Sequence, residues 1–293
     1  MKQILFLFIF ALYFLHHNGL SITLESDIPY IVEGHNLQQL DVYWSMSTKY
    51  QKSPVIFWIH GGGWVTGDKK DVDLKPKAFI DKGYVFVSIN YRLLPNVKME
   101  EIISDVAAAF AWTHKNISKY GGDSNQIVVG GHSAGAQLAA LICIDSQYLK
   151  KENLSIDIIK GCFPSDGDTY DITKIIMTAE HRQAIYGRKQ PTFGHRQKFG
   201  NDPVKHVNFS PVTHISNNKG IPPFLILYFT GNPDTVAQAM LLKNRLRQSG
   251  IEANAFGKAE TNHRKLNREL GLSGDPATER LYEFFESLGL IWK

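Results

Sequence analysis

Apolar runs of five to nine residues recur along this chain and alternate with longer stretches whose apolar positions repeat at helical spacing. Ile28–Val32 and Leu40–Trp44 read as an antiparallel pair of strands, followed by a strand at Val55–Ile59. Tyr84–Asn90, Ile127–Val129, Ile156–Phe163, Phe224–Phe229 and a segment near 252–257 continue the strand series. Between them the pattern predicts helices over Glu100–Lys115, Ala134–Ile144, Val236–Ser249 and Thr278–Leu288. Strands alternating with helices imply an α/β class: a mostly parallel central sheet covered on both faces, with the leading antiparallel strands at one edge. The alternation breaks between Ser165 and Ser210, a stretch long enough to predict a cap or lid over a site.

Two glycine-rich turns follow predicted strands. Gly131-His-Ser133-Ala-Gly135 has the form Gly-x-Ser-x-Gly, placed between the β-branched run Gln126–Gly130 and the apolar helix Ala134–Cys143. That context is the nucleophile elbow, a tight strand-to-helix turn that exposes a serine hydroxyl. His60-Gly61-Gly62-Gly63-Trp64 follows Pro54–Ile59. Three consecutive glycines carry a large entropic penalty, which a loop of inward-pointing amides explains. Gly62 and Gly63, with the residue after the serine, Ala134, are the expected donors to a developing oxyanion. A tight turn without chemistry is the alternative for the glycine triplet alone.

A serine nucleophile needs a base and an acid to orient it, in the chain order Ser, Asp or Glu, His. Asp234 closes the turn Thr230–Asp234 after the strong apolar run Ile221–Phe229 and is the expected acid. Asp166 and Asp168, in the loop after Ile158–Phe163, are its rivals. His263, after the last strand, is the expected base among eleven histidines. His60 and His132 flank the two turns and are expected to shape them, and Asp105 to make a structural hydrogen bond nearby.

Composition changes this picture little. At 293 residues with a formal charge of +4, the chain suits one large α/β domain over 21–293, and no basic cluster with interleaved aromatics points to nucleic acid. From His181 to His206, however, six Lys/Arg and three His stand against one Asp, either a solvated face or a cap that draws in acidic substrates. Residues 1–20 open with Met-Lys-Gln and a twelve-residue apolar run, Ile4–Leu15, the form of a secretory signal. That run is short for a stable membrane anchor, so a secreted or periplasmic protein is expected. Two cysteines, Cys143 and Cys162, are too few for a disulfide scaffold and read as buried thiols. Asn116, Asn153 and Asn208 begin Asn-x-Ser sequons.

Together, His60–Trp64, Gly131–Gly135, Asp234 and Thr261-Asn-His263 resemble the α/β-hydrolase superfamily, from about residue 35 onward. Asn90-Tyr-Arg-Leu93 and Tyr120-Gly-Gly-Asp123 add to the likeness. More narrowly the chain is similar to the esterase/lipase branch, which holds hormone-sensitive-lipase-like, kynurenine-formamidase-like and feruloyl- and acetylxylan-esterase-like enzymes. The resemblance implies an α/β-hydrolase fold, a Ser133–Asp234–His263 triad, a small ester as substrate, and no cofactor or metal. An arylformamidase-type amidase is the enzymatic alternative, and a ligand-binding protein on the same fold the non-enzymatic one. Two local departures stand out. Val236 follows Asp234 by two residues where three are common, and the base lies in Asn-His-Arg in place of Gly-His-Gly.

Overall fold

The structure, a computed structural model, describes residues 21–48, 51–187 and 194–290. The expected leader, residues 1–20, lies outside them. Three strands open the fold, β1 (Ile22–Pro29), β2 (Gln39–Ser45) and β3 (Ser53–Ile59), then α1 (Lys75–Ile80), β4 (Val85–Ile89) and α2 (Met99–Asn116). β5 (Gly122–His132), α3 (Ala134–Ile144), α4 (Ser146–Lys151) and β6 (Ile159–Ser165) complete the first half. The break in the pattern then holds three helices, α5 (Ile172–Tyr186), α6 (His195–Phe199) and α7 (Pro203–Asn208). Alternation resumes with β7 (Phe224–Phe229), α8 (Pro233–Gln248), β8 (Ala253–Lys258), α9 (His263–Glu269) and α10 (Pro276–Ser287).

The eight strands form one sheet in the order β1-β2-β4-β3-β5-β6-β7-β8. β1 and β2, and β2 and β4, pair antiparallel; every later pair is parallel. This is the mostly parallel sheet with an antiparallel edge that the pattern implied, and the α/β-hydrolase fold that the resemblance implied. β3 is buried along its whole length because its side chains feed two cores in turn. Val55, Phe57 and Ile59 face a core with α2, α3 and α8, whereas Ile56 and Trp58 face α1 and α10. Such two-sided burial is why β3, β4 and β5 read as continuous apolar runs instead of alternating ones.

Two expectations shift. The first strand lies earlier than Ile28–Val32: it pairs with β2 from Ile22 to Pro29, across a bulge between Glu25 and Ile28. Asp27 sits at that bulge with φ +59°, its amide bonded to the Asp41 carboxylate at 2.9 Å. Tyr30 instead turns inward and donates its hydroxyl to the Asn90 carbonyl at 3.0 Å. The sixth strand begins at Ile159, because residues 156–158 form a 3-10 turn. Cys143 and Cys162 are both free and buried. Among the described residues, no helix is long and apolar enough to cross a membrane.

Parallel pairing aligns Ile59 with Gly131, which brings the ends of β3 and β5 side by side at the carboxyl edge of the sheet. The start of α3 folds back onto that junction. A Cβ on Gly131 would stand 2.3 Å from the Gly135 carbonyl oxygen, and one on Gly135 would stand 2.2 Å from that of Ile59. Only glycine fits at either position. Gly135→Val should therefore destabilise the fold by at least about 1–3 kcal/mol, the usual range for overpacking. Thermal unfolding should show a Tm lowered by several degrees; an unchanged Tm would mean that these segments are not in contact.

Candidate active site

Ser133 stands between the end of β5 and the first residue of α3 with φ +58° and ψ −118°, a left-sided backbone state rare for a side chain of any size. The surrounding structure enforces it. The Ser133 amide donates to the Ser165 carbonyl at 2.9 Å, tying the elbow to the end of β6. α3 is buried throughout and directs its N-terminal amides and positive dipole end at the serine.

The loop after β3 curls beside this elbow. Gly62 has φ +103°, and a Cβ there would lie 1.9 Å from the Thr66 carbonyl, which explains the glycine. The Gly62 carbonyl is turned back to accept the amides of Val65 and Thr66 at 3.2 and 3.1 Å. Among the described residues, the amides of Gly62, Gly63 and Ala134 donate to no protein acceptor. Below the loop, the His60 ring stacks on Tyr91 at 4.3 Å, and the Tyr91 hydroxyl donates to the His60 carbonyl at 3.0 Å. His60 donates Nδ1–H to the Gly61 carbonyl at 2.7 Å. Trp64 locks the far side: its indole N–H reaches Gln137 Oε1 on α3 at 3.3 Å, and its ring meets Phe199 of α6 edge-on at 5.0 Å.

The histidine of the site comes from the start of α9. Asn262 caps this helix by accepting the Lys265 amide at 2.9 Å, which makes His263 its first residue. Its Nδ1 lies 2.6 Å from Oδ2 of Asp166, a buried carboxylate just past β6. The other oxygen, Oδ1, accepts the Phe229 amide at 3.1 Å, and the Asp166 amide donates to Leu227 at 2.8 Å. Asp166 is thus fixed by the backbone of β7 and faces His263.

The carboxylate expected beside this histidine, Asp234, lies elsewhere. Asp234 sits on the first turn of α8, where both its oxygens are taken by the Arg182 guanidinium of α5 at 2.5 and 2.7 Å. Its side chain points to the cap, not to His263. Asn232 and Thr235 reach the cavity wall from this turn, but Asp234 does not. The reason is topological. β6 is the neighbour of β5, so the loop that leaves it passes nearest the elbow, whereas the turn after β7 runs straight into a helix. Of the other rival, the carboxylate of Asp168 lies 3.4 Å from the His195 ring. Asp105 is structural: it binds Arg92 and Gln38.

Two buried groups hold α9 in place, and neither was foreseen in this role. His132 donates Nε2–H to the His263 carbonyl at 3.0 Å, and the two rings lie 4.4 Å apart. Lys75 donates to the Asn267 carbonyl at 2.8 Å with its ammonium 5.0 Å from the Trp58 ring; burial lowers its pKa to about 8. Ser133, Asp166, His263 and the Gly61–Gly63 loop line a single cavity of about 690 Å³. Ligating atoms of His132, Asp166 and His263 come within 4.8 Å of one another. Within this set, His132 Nε2 is spent on the His263 carbonyl and His263 Nδ1 on Asp166.

A family model described as BD-FAE matches residues 40–246. This chain belongs to the BD-FAE family. Its α/β-hydrolase fold and its relatives put it in the esterase/lipase group that the motifs resemble. Esterase LipQ of Mycobacterium tuberculosis is 27% identical over 91% of this chain and 62% of its own length. A second protein of that organism, named Probable carboxylic ester hydrolase LipM, is 31% identical over 67% of this chain and 45% of its own. The chain thus spans about half to three-fifths of the length of these curated relatives. Among solved structures, esterase B from Lactobacillus Rhamnosis superposes with a TM-score of 0.72 at 19% identity, covering 92% of this chain and 85% of that one. Est2 of Thermogutta terrifontis gives 0.69 at 20% identity over 94% and 96%.

Burial holds both His60 and His132 below the usual value of 6.5, His132 strongly so, with the nearby His263 and Lys75 adding to the effect. Histidines kept neutral in the fold bind fewer protons than in the unfolded chain. Their contribution to stability is therefore complete above about pH 6.5 and is lost as pH falls toward their folded values. Tm should fall between about pH 7.5 and 5.5, and the His132 imidazole should show no NMR titration across that window. A His132 resonance that titrates near its ordinary value would overturn this assignment.

Proposed function

We propose that this chain is a serine carboxylic-ester hydrolase that works through an acyl-enzyme, with Ser133, His263 and Asp166 as its triad. The observation that carries the reading is the 2.6 Å contact between His263 Nδ1 and the buried Asp166 carboxylate in the cavity that Ser133 lines. Esterase names among the relatives support it.

The chemistry follows from those positions. Asp166 accepts Nδ1–H of His263 and so fixes the tautomer in which Nε2 is the basic nitrogen. That nitrogen takes the Ser133 proton as Oγ attacks the ester carbonyl, and the imidazolium that forms is stabilised by the adjacent carboxylate. Negative charge moves to the carbonyl oxygen, where the amides of Gly62, Gly63 and Ala134 receive it. His263 returns the proton to the departing alcohol. Water then repeats the sequence on the acyl-enzyme, releasing the acid and restoring Ser133.

Ser133→Ala should abolish both hydrolysis of p-nitrophenyl acetate and labelling by a fluorophosphonate probe. Asp166→Asn should lower kcat by about 10⁴-fold while circular dichroism stays native, the loss expected when the orienting acid can no longer hold the tautomer. Asp234→Asn should cost far less, through a loosened contact with α5. A large loss in Asp234→Asn beside an active Asp166→Asn would reverse the assignment of the acid.

A further inference from the structure

The base is followed by an arginine where glycine is usual, and that residue, Arg264, borders the ester site. Because Asn262 caps α9, His263 and Arg264 are its first two residues. Arg268 follows Arg264 by four residues, so the two arginines are neighbours on one face of the helix. Both line the Ser133 cavity, together with His263 and Asn267. Both also line a second cavity of about 540 Å³ on the other side of α9 from none of the catalytic groups, and so stand between the two spaces.

The acids on these walls are engaged elsewhere. Asp166 is bonded to His263, Asp168 lies 3.4 Å from the His195 ring, and Asp71 accepts the Asp68 amide at 3.1 Å. Glu269 meets Lys258 at 2.7 Å and Lys265 at 3.4 Å. Asp73 faces Arg268 at 3.6 Å, longer than a charge-assisted hydrogen bond. Among the described residues, Arg264 is exposed and pairs with no carboxylate. Two like charges one turn apart on a seven-residue helix repel each other, and an anion between them relieves that repulsion. A guanidinium offers its N–H groups as a flat fork, the shape that a carboxylate fits. The position of the base decides which part of an ester lies here. His263 returns its proton to the departing alcohol, so the alcohol oxygen must come within hydrogen-bond reach of Nε2. The residue next to His263 on α9 therefore borders the alcohol portion.

We propose that Arg264, seconded by Arg268, determines specificity by receiving a carboxylate carried on the alcohol portion of the ester. This inference rests on the hydrolase reading above. It gives the arginine beside the base a definite function and names the substrate class as esters of hydroxy acids.

The test compares 4-acetoxybenzoate with 4-acetoxybenzamide, which differ in charge on the leaving group, each kcat/KM being divided by the rate constant of the same ester with hydroxide. The wild-type protein should favour the benzoate by about tenfold, chiefly through KM. Arg264→Met should collapse that ratio, Arg264→Lys should keep part of it, and Arg268→Met should reduce it. Raising salt from about 50 to about 500 mM should weaken the preference. Phenyl hydrogen adipate against phenyl hexanoate places the acid on the acyl side, and there Arg264→Met should leave the ratio unmoved. No preference for the benzoate in the wild type, or one that survives in Arg264→Met, overturns the inference while the hydrolase reading stands. So does a preference on the adipate pair that Arg264→Met removes, which would put the anion on the acyl side. An equal loss of kcat on both acetoxy esters also overturns it, by assigning Arg264 to the placement of α9. Calorimetry of 4-acetoxybenzoate on Ser133→Ala, with and without Arg264→Met, gives a readout without turnover. If the wild type cleaves none of these esters, the hydrolase reading fails, and binding that depends on Arg264 still decides whether the carboxylate site exists.

Discussion

Three backbone segments meet at closer range than side chains allow, and the site is built outward from that meeting. The end of β3, the end of β5 and the first turn of α3 approach so nearly that a single Cβ at Gly131 or Gly135 would collide with a carbonyl oxygen. Close approach has two consequences. It forces Ser133 into its left-sided backbone state, and it sets the Gly61–Gly63 loop beside the serine instead of one strand-width away. Trp64 then extends the constraint outward, since its indole binds α3 while its ring supports α6 of the cap. Elbow, amide loop and cap therefore form one mechanical unit.

Around that unit, burial holds His60 and His132 below their ordinary pKa, and each spends an N–H on a backbone carbonyl. His60 satisfies Gly61 and underpins the amide loop. His132 satisfies the carbonyl of His263 and underpins the helix that carries the proposed base. A charged imidazolium at either position would oppose any positive charge forming on His263. Asp166, with one oxygen on a backbone amide and the other on His263, is placed to favour that charge. Asp234 is committed to Arg182 and serves to anchor α5 against α8.

The cap illustrates how one segment takes on two kinds of work. Its Arg182 consumes a carboxylate at the rim, and its Lys198 enters the cavity wall. Arg182 thus holds an acid of α8, while Lys198 lies over the Trp64 ring at the cavity wall.

Much of this was legible in the chain. Runs such as Val55–Ile59 and Phe224–Phe229 are long and apolar enough to specify buried parallel strands, and the elbow motif names its own turn because only glycine tolerates the contact distances at both ends. Ser133, His263 and the glycine loop follow from local pattern and chain order. The acid did not. Asp166 and Asp234 both follow apolar strands, and sequence spacing cannot say which carboxylate faces the histidine, because that depends on sheet order and on where Arg182 of a separate helix comes to rest. The irregular valine spacing after Asp234 was the one local sign. Likewise the basic bias of the cap was visible as composition, but only the packing of α6 on Trp64 decided that one lysine reaches the site. Local sterics and hydrophobic periodicity act over a few residues and are written in sequence; pairings between distant charges are decided when the sheet closes and the cap settles on it.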